Sequence, residues 1–524
     1  MRASFAFILR ATGAALLLGL SVPASARAQE APPAPAPTPP LPGPPVRRIA
    51  TAQAISTVPL GIISNVRALS DGRVLLNDGA SRRLLLLDST LQQVTVVLDS
   101  ISEVENAYGV RNGTLLRHRG DSSLFVDPAT LALLVLDEAG RIARVRAVPR
   151  AQSLNFLLTS PSLIYGEPAV DPLGRLVHRM AAMMAPPAVA PPPGMPYIPS
   201  PADSAFIVGI HLDTRRIDTL GVIRTPRVVY SARLEPDGYY SFNSVPNPLP
   251  VVDDWAVLAD GSVAFVRGID YRVEMREPDG TMRTTEKLVY PWVRLADDDK
   301  ERFADSMRAA QVKSAQTNYA TQMIAWSNLL NKPYPASFEV PAGYVPPPGL
   351  PKDWILPKGV QFPADYVPAC PPGVTPPNGG AGMFPGMPAA PTGPPQPGQP
   401  NCTQTYFTEM YGSGYTPPAP IYRAPTLVRA SDLPDYKPPF AGGAARADAD
   451  GNLWIRTTPP TARDGLVFDV VNGRGALVDR IQLPPGYTLA GFGPGRVVFL
   501  GNRDATGLHL SRVRLSAPET TSAP

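Results

Sequence analysis

Ser70-Asp71-Gly72-Arg73-Val74-Leu75-Leu76-Asn77-Asp78, followed by Arg82-Arg83-Leu84 and Leu87-Asp88, is the stretch on which the fold turns. Asp71-Gly72 predicts a tight hairpin, because Gly takes positive φ without steric cost and Asp tolerates it. The runs on either side are short, Leu-rich and β-branched, as strands are. Val66 to Leu69, Arg73 to Asn77, Arg83 to Asp88 and Gln93 to Leu98 read as four strands of one meandering antiparallel sheet.

The same grammar returns along the chain. A second unit reads as Leu115 to Arg119, Ser123 to Asp127, Leu131 to Leu136 and Arg141 to Ala147, with Glu138-Ala139-Gly140 as its last turn. A third begins at Ala169, turns at Leu173-Gly174, and resumes at Ala205 to Leu212 and Arg216 to Ile223. Asp260-Gly261 and Asp279-Gly280 punctuate a fourth, Asp254 to Lys287, and Asp450-Gly451 a fifth, Ala444 to Ile481. The sixth, Tyr487 to Leu515, owns only three strands, and the segment Ile49 to Val58 is the expected source of its fourth. Sheets of four strands recurring in this way predict an all-β chain, a six-bladed β-propeller with a helical insertion and Pro-rich loops. A β-sandwich or two smaller β-domains is the alternative.

The quoted stretch resembles a blade of NHL-type six-bladed β-propeller proteins, of a bacterial secreted type, and Ala447-Asp448-Ala449-Asp450-Gly451-Asn452-Leu453-Trp454 is similar again. The resemblance implies the fold and is almost silent on activity, because such propellers include ligand-binding, protein-binding and enzymatic members.

Composition sets the remaining boundaries. Pro and Gly number 66 and 43 of 524 residues, well above ordinary globular usage, so long parts of the chain are linker or irregular loop. Nine of the fifteen residues from Ala31 to Pro45 are Pro, and the expected spacer covers residues 29–48. A Pro-rich loop is expected near 185–201 and a Pro/Gly-rich insertion over 332–440, where 21 of the 68 residues from Pro333 to Pro400 are Pro. Residues 517–524 read as a disordered tail. Between the fourth and fifth units, 296–331 reads as a helical insertion. Its acidic start, Asp297-Asp298-Asp299, complements the helix dipole. Phe303, Met307 and Ala310 are expected on one face and Tyr319, Met323, Trp326 and Leu330 on another, with a slip of register near Val312 to Asn318.

At the N-terminus, Arg2 and Arg10, an apolar run from Ala11 to Val22 and small residues through Ala28 read as a signal peptide over 1–28. The expected destination is the periplasm or the extracellular space. Cleavage after Ala28 leaves 45 basic against 44 acidic groups, a formal charge of +1. The arginines are scattered along strand-like segments rather than clustered, so no nucleic-acid partner is expected. No later stretch reads as a membrane span. Cys370 and Cys402, the only cysteines, read as one disulfide in an oxidising compartment.

No metalloprotease, phosphate-loop or nucleophile-elbow motif appears, and the four histidines, His118, His178, His211 and His509, fall in different units. The expected function is therefore a non-enzymatic binding module, monomeric and without a resident cofactor, whose partner is a protein or a small molecule. A metal-dependent lactonase- or lyase-like propeller is the enzymatic alternative. Glu167, Asp171, Asn243 and Asp254 are its candidate oxygen ligands, for which Ca2+ is the fitting ion. A cell-envelope scaffold is the third reading. Tyr239, Tyr240 and Phe242, after the Asp237-Gly238 turn, are the candidate aromatic platform for a ligand.

Overall fold

Val74–Asp78, the strand that follows the quoted Asp-Gly turn, is buried along its whole length. That explains its continuous apolar text: a strand covered on both faces has no solvent side to alternate with. The outer strand Ile142–Ala147, by contrast, is buried at none of its six positions. This gradient from buried inner strands to exposed outer ones recurs around a six-bladed β-propeller. The computed structural model describes residues 43–49, 52–100, 107–158, 166–181, 184–185, 200–234, 240–245, 247–329, 422, 428–458 and 465–517, with backbone alone at 184–185, 200–201, 229–234, 240–245 and 324–329.

The first blade pairs Ile63–Ala68, Val74–Asp78, Arg83–Leu87 and Val94–Leu98 in that order, and the second Thr114–Arg117, Ser123–Asp127, Ala132–Leu136 and Ile142–Ala147. Ala169–Val170, Arg175–Arg179, Ser204–His211 and Ile217–Arg224 form the third. The fourth comprises Asp254–Val257, Val263–Arg267, Arg272–Arg276 and Met282–Lys287. Ala445–Ala447, Leu453–Thr457, Val467–Val471 and Leu477–Gln482 make the fifth, and Tyr487–Gly493, Val497–Asp504 and Gly507–Arg514 the sixth. Two hairpins stand apart from the blades, Met184–Ala185 with Ser200–Pro201 and Val229–Leu234 with Tyr240–Val245.

The ring closes as the sequence predicts. Ala54–Ile55 adds to the sixth blade as its fourth strand, with Ala54 opposite Arg512 and Ile55 opposite Ser511. Ser56 extends the seam, its amide donating to Leu510 O at 2.8 Å and its hydroxyl accepting from Leu510 N at 2.9 Å. Upstream, the expected spacer gives way earlier than residue 48. Val46–Arg48 forms a parallel strand against Arg480–Gln482, so the N-terminal segment straps the outer edges of the fifth and sixth blades.

Burial follows the ring. Each of the six blade-to-blade junctions carries its own cluster of buried side chains. Phe265 and Trp255 of the fourth blade meet Ile207 and Ile223 of the third, for example, and Phe499 of the sixth meets Leu76 and Leu85 of the first. No blade buries its faces alone, so each depends on both neighbours.

The turn chemistry also matches. Gly72 sits at φ +88° and Gly451 at φ +87°, where a Cβ would be strained. Asp71 Oδ1 accepts the Arg73 amide at 2.9 Å, and Asp260 and Asp279 hold Ser262 and Thr281 in the same way. The turn aspartates are thus occupied by their own backbone.

The insertion is one continuous helix, Asp297–Leu329. It docks at its N-terminal end through Ala304, which packs with Val428 and Leu433, and through Lys300, which pairs with Asp435 at 2.6 Å. The expected slip of register is absent. Buried Lys300, Ala304, Val312, Gln316 and Ala320 fall on one face at four-residue intervals and their multiples, while Ala310 is exposed. The face looked interrupted because Gln316 and Ala315 carry it through the middle. Within the Pro-rich insertion, Phe440 of the described stretch 428–440 belongs to the junction core between the fourth and fifth blades. The expected signal peptide over 1–28, both cysteines, Tyr239 and residues 518–524 lie outside the described residues. Among the described residues no helix is long and apolar enough to cross a membrane.

Candidate functional site

Each blade presents its first strand to the axis, and together these strands enclose a central channel of about 680 Å3 lined by residues from all six blades. Small, flat contributions come from Ala169, Ala490 and Gly491, which leave the passage open. Its chemistry is concentrated in a few side chains.

Four arginines reach the channel from three blades: Arg67 of Ile63–Ala68, Arg117 of Thr114–Arg117, Arg119 just beyond that strand, and Arg446 of Ala445–Ala447. Arg67 donates from Nη1 to Ala68 O at 2.7 Å and from Nη2 to Gly120 O at 2.7 Å, across to the second blade. Burial, then the neighbouring Arg117 charge, pulls the Arg67 guanidinium down to about 10, against the partial support of Asp121. Arg446 donates to Leu489 O at 2.8 Å on the sixth blade. Behind it Arg456 is also held below the ordinary arginine range, by burial and then by Arg446.

Acidic groups at the channel are mostly engaged. Asp121 accepts the Ser70 amide at 2.9 Å and the Ser70 hydroxyl, and these bonds hold its carboxyl below the usual range. Asp448 accepts from Asn452 N at 2.7 Å and from Trp454 Nε1 at 3.0 Å. His118, at the same mouth, is pushed down by burial and by the nearby Arg119 and Arg146.

Of the four oxygen-ligand candidates, two face the channel. Glu167 is 39% exposed and stands 3.7 Å from Arg446 Nε. Asp171 is clamped by Arg175, accepting its Nε at 2.6 Å and its amide at 2.8 Å. Asp254 is not in the lining. It is fully buried and accepts the amides of Trp255 at 2.9 Å and of Ala445 at 2.8 Å, joining the inner strands of the fourth and fifth blades. Burial pushes its carboxyl up to about 6 despite those donors. Asn243 lies opposite Ser231 in the Val229–Leu234/Tyr240–Val245 hairpin, and Tyr240 and Phe242 are on the same strand. Among the described residues, no three His, Cys, Asp or Glu side chains group closely enough to hold a metal ion.

The arginines were the residues that sequence reasoning missed. Scattered by tens to hundreds of positions in the chain, they converge because every blade sends one strand to a common axis. Arg67 and Arg446 even occupy the same position, one residue before the inner strand's last, ahead of the first turn.

No family model matches the chain and no curated protein matches it. Solved structures with a similar trace include a luciferin-regenerating enzyme, at 9% identity over 88% of this chain and 93% of that one, with a TM-score of 0.30. The calcium-binding protein regucalcin from Agrobacterium tumefaciens aligns at 10% identity over 90% of this chain and 97% of its own, with a TM-score of 0.27. Streptogramin B lyase aligns at 11% identity over 44% of this chain and 71% of its own, with a TM-score of 0.24. Likenesses this remote carry no chemistry across, and the six-bladed assignment rests on the sheet order.

Proposed function

We propose that this chain is an exported binding module that takes a small molecule into its central channel without transforming it. The observation that carries the reading is the channel itself. Its volume of about 680 Å3 suits a small ligand, and its polar groups come from several different blades. Ordered donors converge there, and the hydroxyl–imidazole contact at the mouth, His118 Nδ1 to Ser122 Oγ at 2.8 Å, has its hydroxyl proton directed to Arg119 O rather than to the imidazole. Export rests on the N-terminal leader and places the module in the periplasm or outside the cell.

Native mass spectrometry of the purified mature chain tests this reading. A co-purifying small molecule is expected, and Ala169→Trp, which narrows the channel, should abolish it. A ligand retained at full occupancy in Ala169→Trp would place binding elsewhere. The metal-dependent enzyme remains the rival, because Glu167 is the channel carboxylate that has only an ion pair at 3.7 Å and no hydrogen bond to a described residue. Stoichiometric divalent ion, lost together with hydrolase activity in Glu167→Gln, would decide for that rival.

A further inference from the structure

Charge in the channel is unevenly compensated. Among the described residues, no hydrogen bond or ion pair engages the Arg117 side chain, which is exposed to the channel. The buried Nε of Arg67 has no hydrogen-bond partner either, and its two other donors meet neutral carbonyl oxygens. Arg446 likewise gives Nη1 to a carbonyl, and its nearest carboxylate, Glu167, stays beyond hydrogen-bond distance at 3.7 Å. Asp121, hydrogen-bonded to Ser70, supports Arg67 only across space, while Asp171 and Asp448 are held by Arg175 and Trp454. Guanidinium groups placed together without hydrogen-bonded carboxylate partners cost stability, and a fold retains such a cost where a ligand repays it.

Resting on the channel reading above, we infer that the ligand is an oxyanion, a carboxylate or phosphate group seated between Arg67 and Arg117 and approached by Arg446. The first and second blades are neighbours, so the first two arginines form one side of the seat. The second and fifth blades are diametrically opposed in a ring of six, so Arg117 and Arg446 reach the ligand from opposite sides. A guanidinium offers paired donors that match the two oxygens of a carboxylate or phosphate, which a point charge does not. Neutral walls, Ala169, Ala490 and Gly491, leave room for the remainder of the molecule.

Isothermal titration of the mature chain with inorganic phosphate and with succinate, against glycerol and putrescine as uncharged and cationic controls, tests the inference. Phosphate, succinate or both should bind with one-to-one stoichiometry, and the two arms distinguish the phosphate from the carboxylate source. Arg117→Gln and Arg446→Gln should each weaken binding about tenfold or more, through lost charge-assisted bonds. Arg276→Gln, on the third strand of the fourth blade, should leave it unchanged. Because Arg117 and Arg67 repel, Arg117→Gln should also melt no lower than the wild type, which separates lost binding from lost folding. Equal anion affinity in wild type and Arg117→Gln overturns the inference. So does binding of glycerol or putrescine alone, an outcome that leaves the channel reading standing. If no probe binds, the species seen by native mass spectrometry decides: an anion displaced in Arg117→Gln supports the inference, and a neutral or cationic one overturns it. No bound species at all removes both readings.

Discussion

Asp254 opens the inner strand of the fourth blade, and its carboxylate ties that strand to the amide of Ala445 in the fifth. Its burial has a consequence for pH. The folded chain holds the Asp254 proton up to about 6, whereas an unfolded aspartate releases it near 4. Between those values the folded state binds more protons, so the contribution to stability is complete below about pH 4 and is lost as the pH rises through 6. The unfolding free energy of wild type minus that of Asp254→Asn should therefore fall across this window, by up to about 1.4 kcal/mol per pH unit, and flatten above it. Urea denaturation of both proteins over a pH series measures the difference; a flat curve would contradict the burial argument. A second buried contact joins the same two blades. Tyr271 donates to Asp469 Oδ2 at 2.7 Å, and Asp469 meets Arg480 Nε at 3.1 Å. Tyr271→Phe should cost about 1 to 3 kcal/mol, and Asp469→Ala about 3 to 5 because it strands the Arg480 guanidinium, as equilibrium denaturation would show. From sequence alone Asp254 read as a metal-ligand candidate. A carboxylate that caps a neighbouring blade's amides is indistinguishable there from one that binds a cation, because its partner lies 191 residues away.

At the scale of elements, strands and turns were legible because their causes are local. The Asp-Gly turns need positive φ, and the strand Ser123–Asp127 coincides with its predicted bounds. Even the closing strand was readable, since a sixth unit with three strands leaves an edge that must be covered. Helix register was less so, because the buried face of Asp297–Leu329 passes through Gln316, which hydropathy assigns to solvent. The closing seam supports a direct test. Ser56→Pro deletes both the amide that donates to Leu510 O and the hydroxyl that receives Leu510 N. The loss should be about 1 to 3 kcal/mol. With the outer edge of the sixth blade released, size-exclusion chromatography should show soluble oligomers that the wild type lacks.

For the molecule as a whole, the six junction clusters make the blades mutually dependent. Phe265→Ala, between the third and fourth blades, and Phe499→Ala, between the sixth and first, should each cost about 3 to 5 kcal/mol. Both should lower one shared calorimetric transition rather than split it in two, since no cluster belongs to a blade on its own. The candidate site belongs to this scale, and for that reason the sequence did not disclose it. Dispersed arginines read in sequence as the lack of a continuous basic patch, yet the same dispersal around a ring gathers them at the axis. The strap across the last two blades also dictates a timetable. Ser56 and Leu510 are 454 residues apart, so the earliest part of the wheel is made long before its clasp. At ordinary ribosomal speed that interval is roughly 20 to 90 seconds. The nascent chain waits that long with the sixth blade unmade, and a polypeptide in that condition is still loose enough to be threaded before it locks.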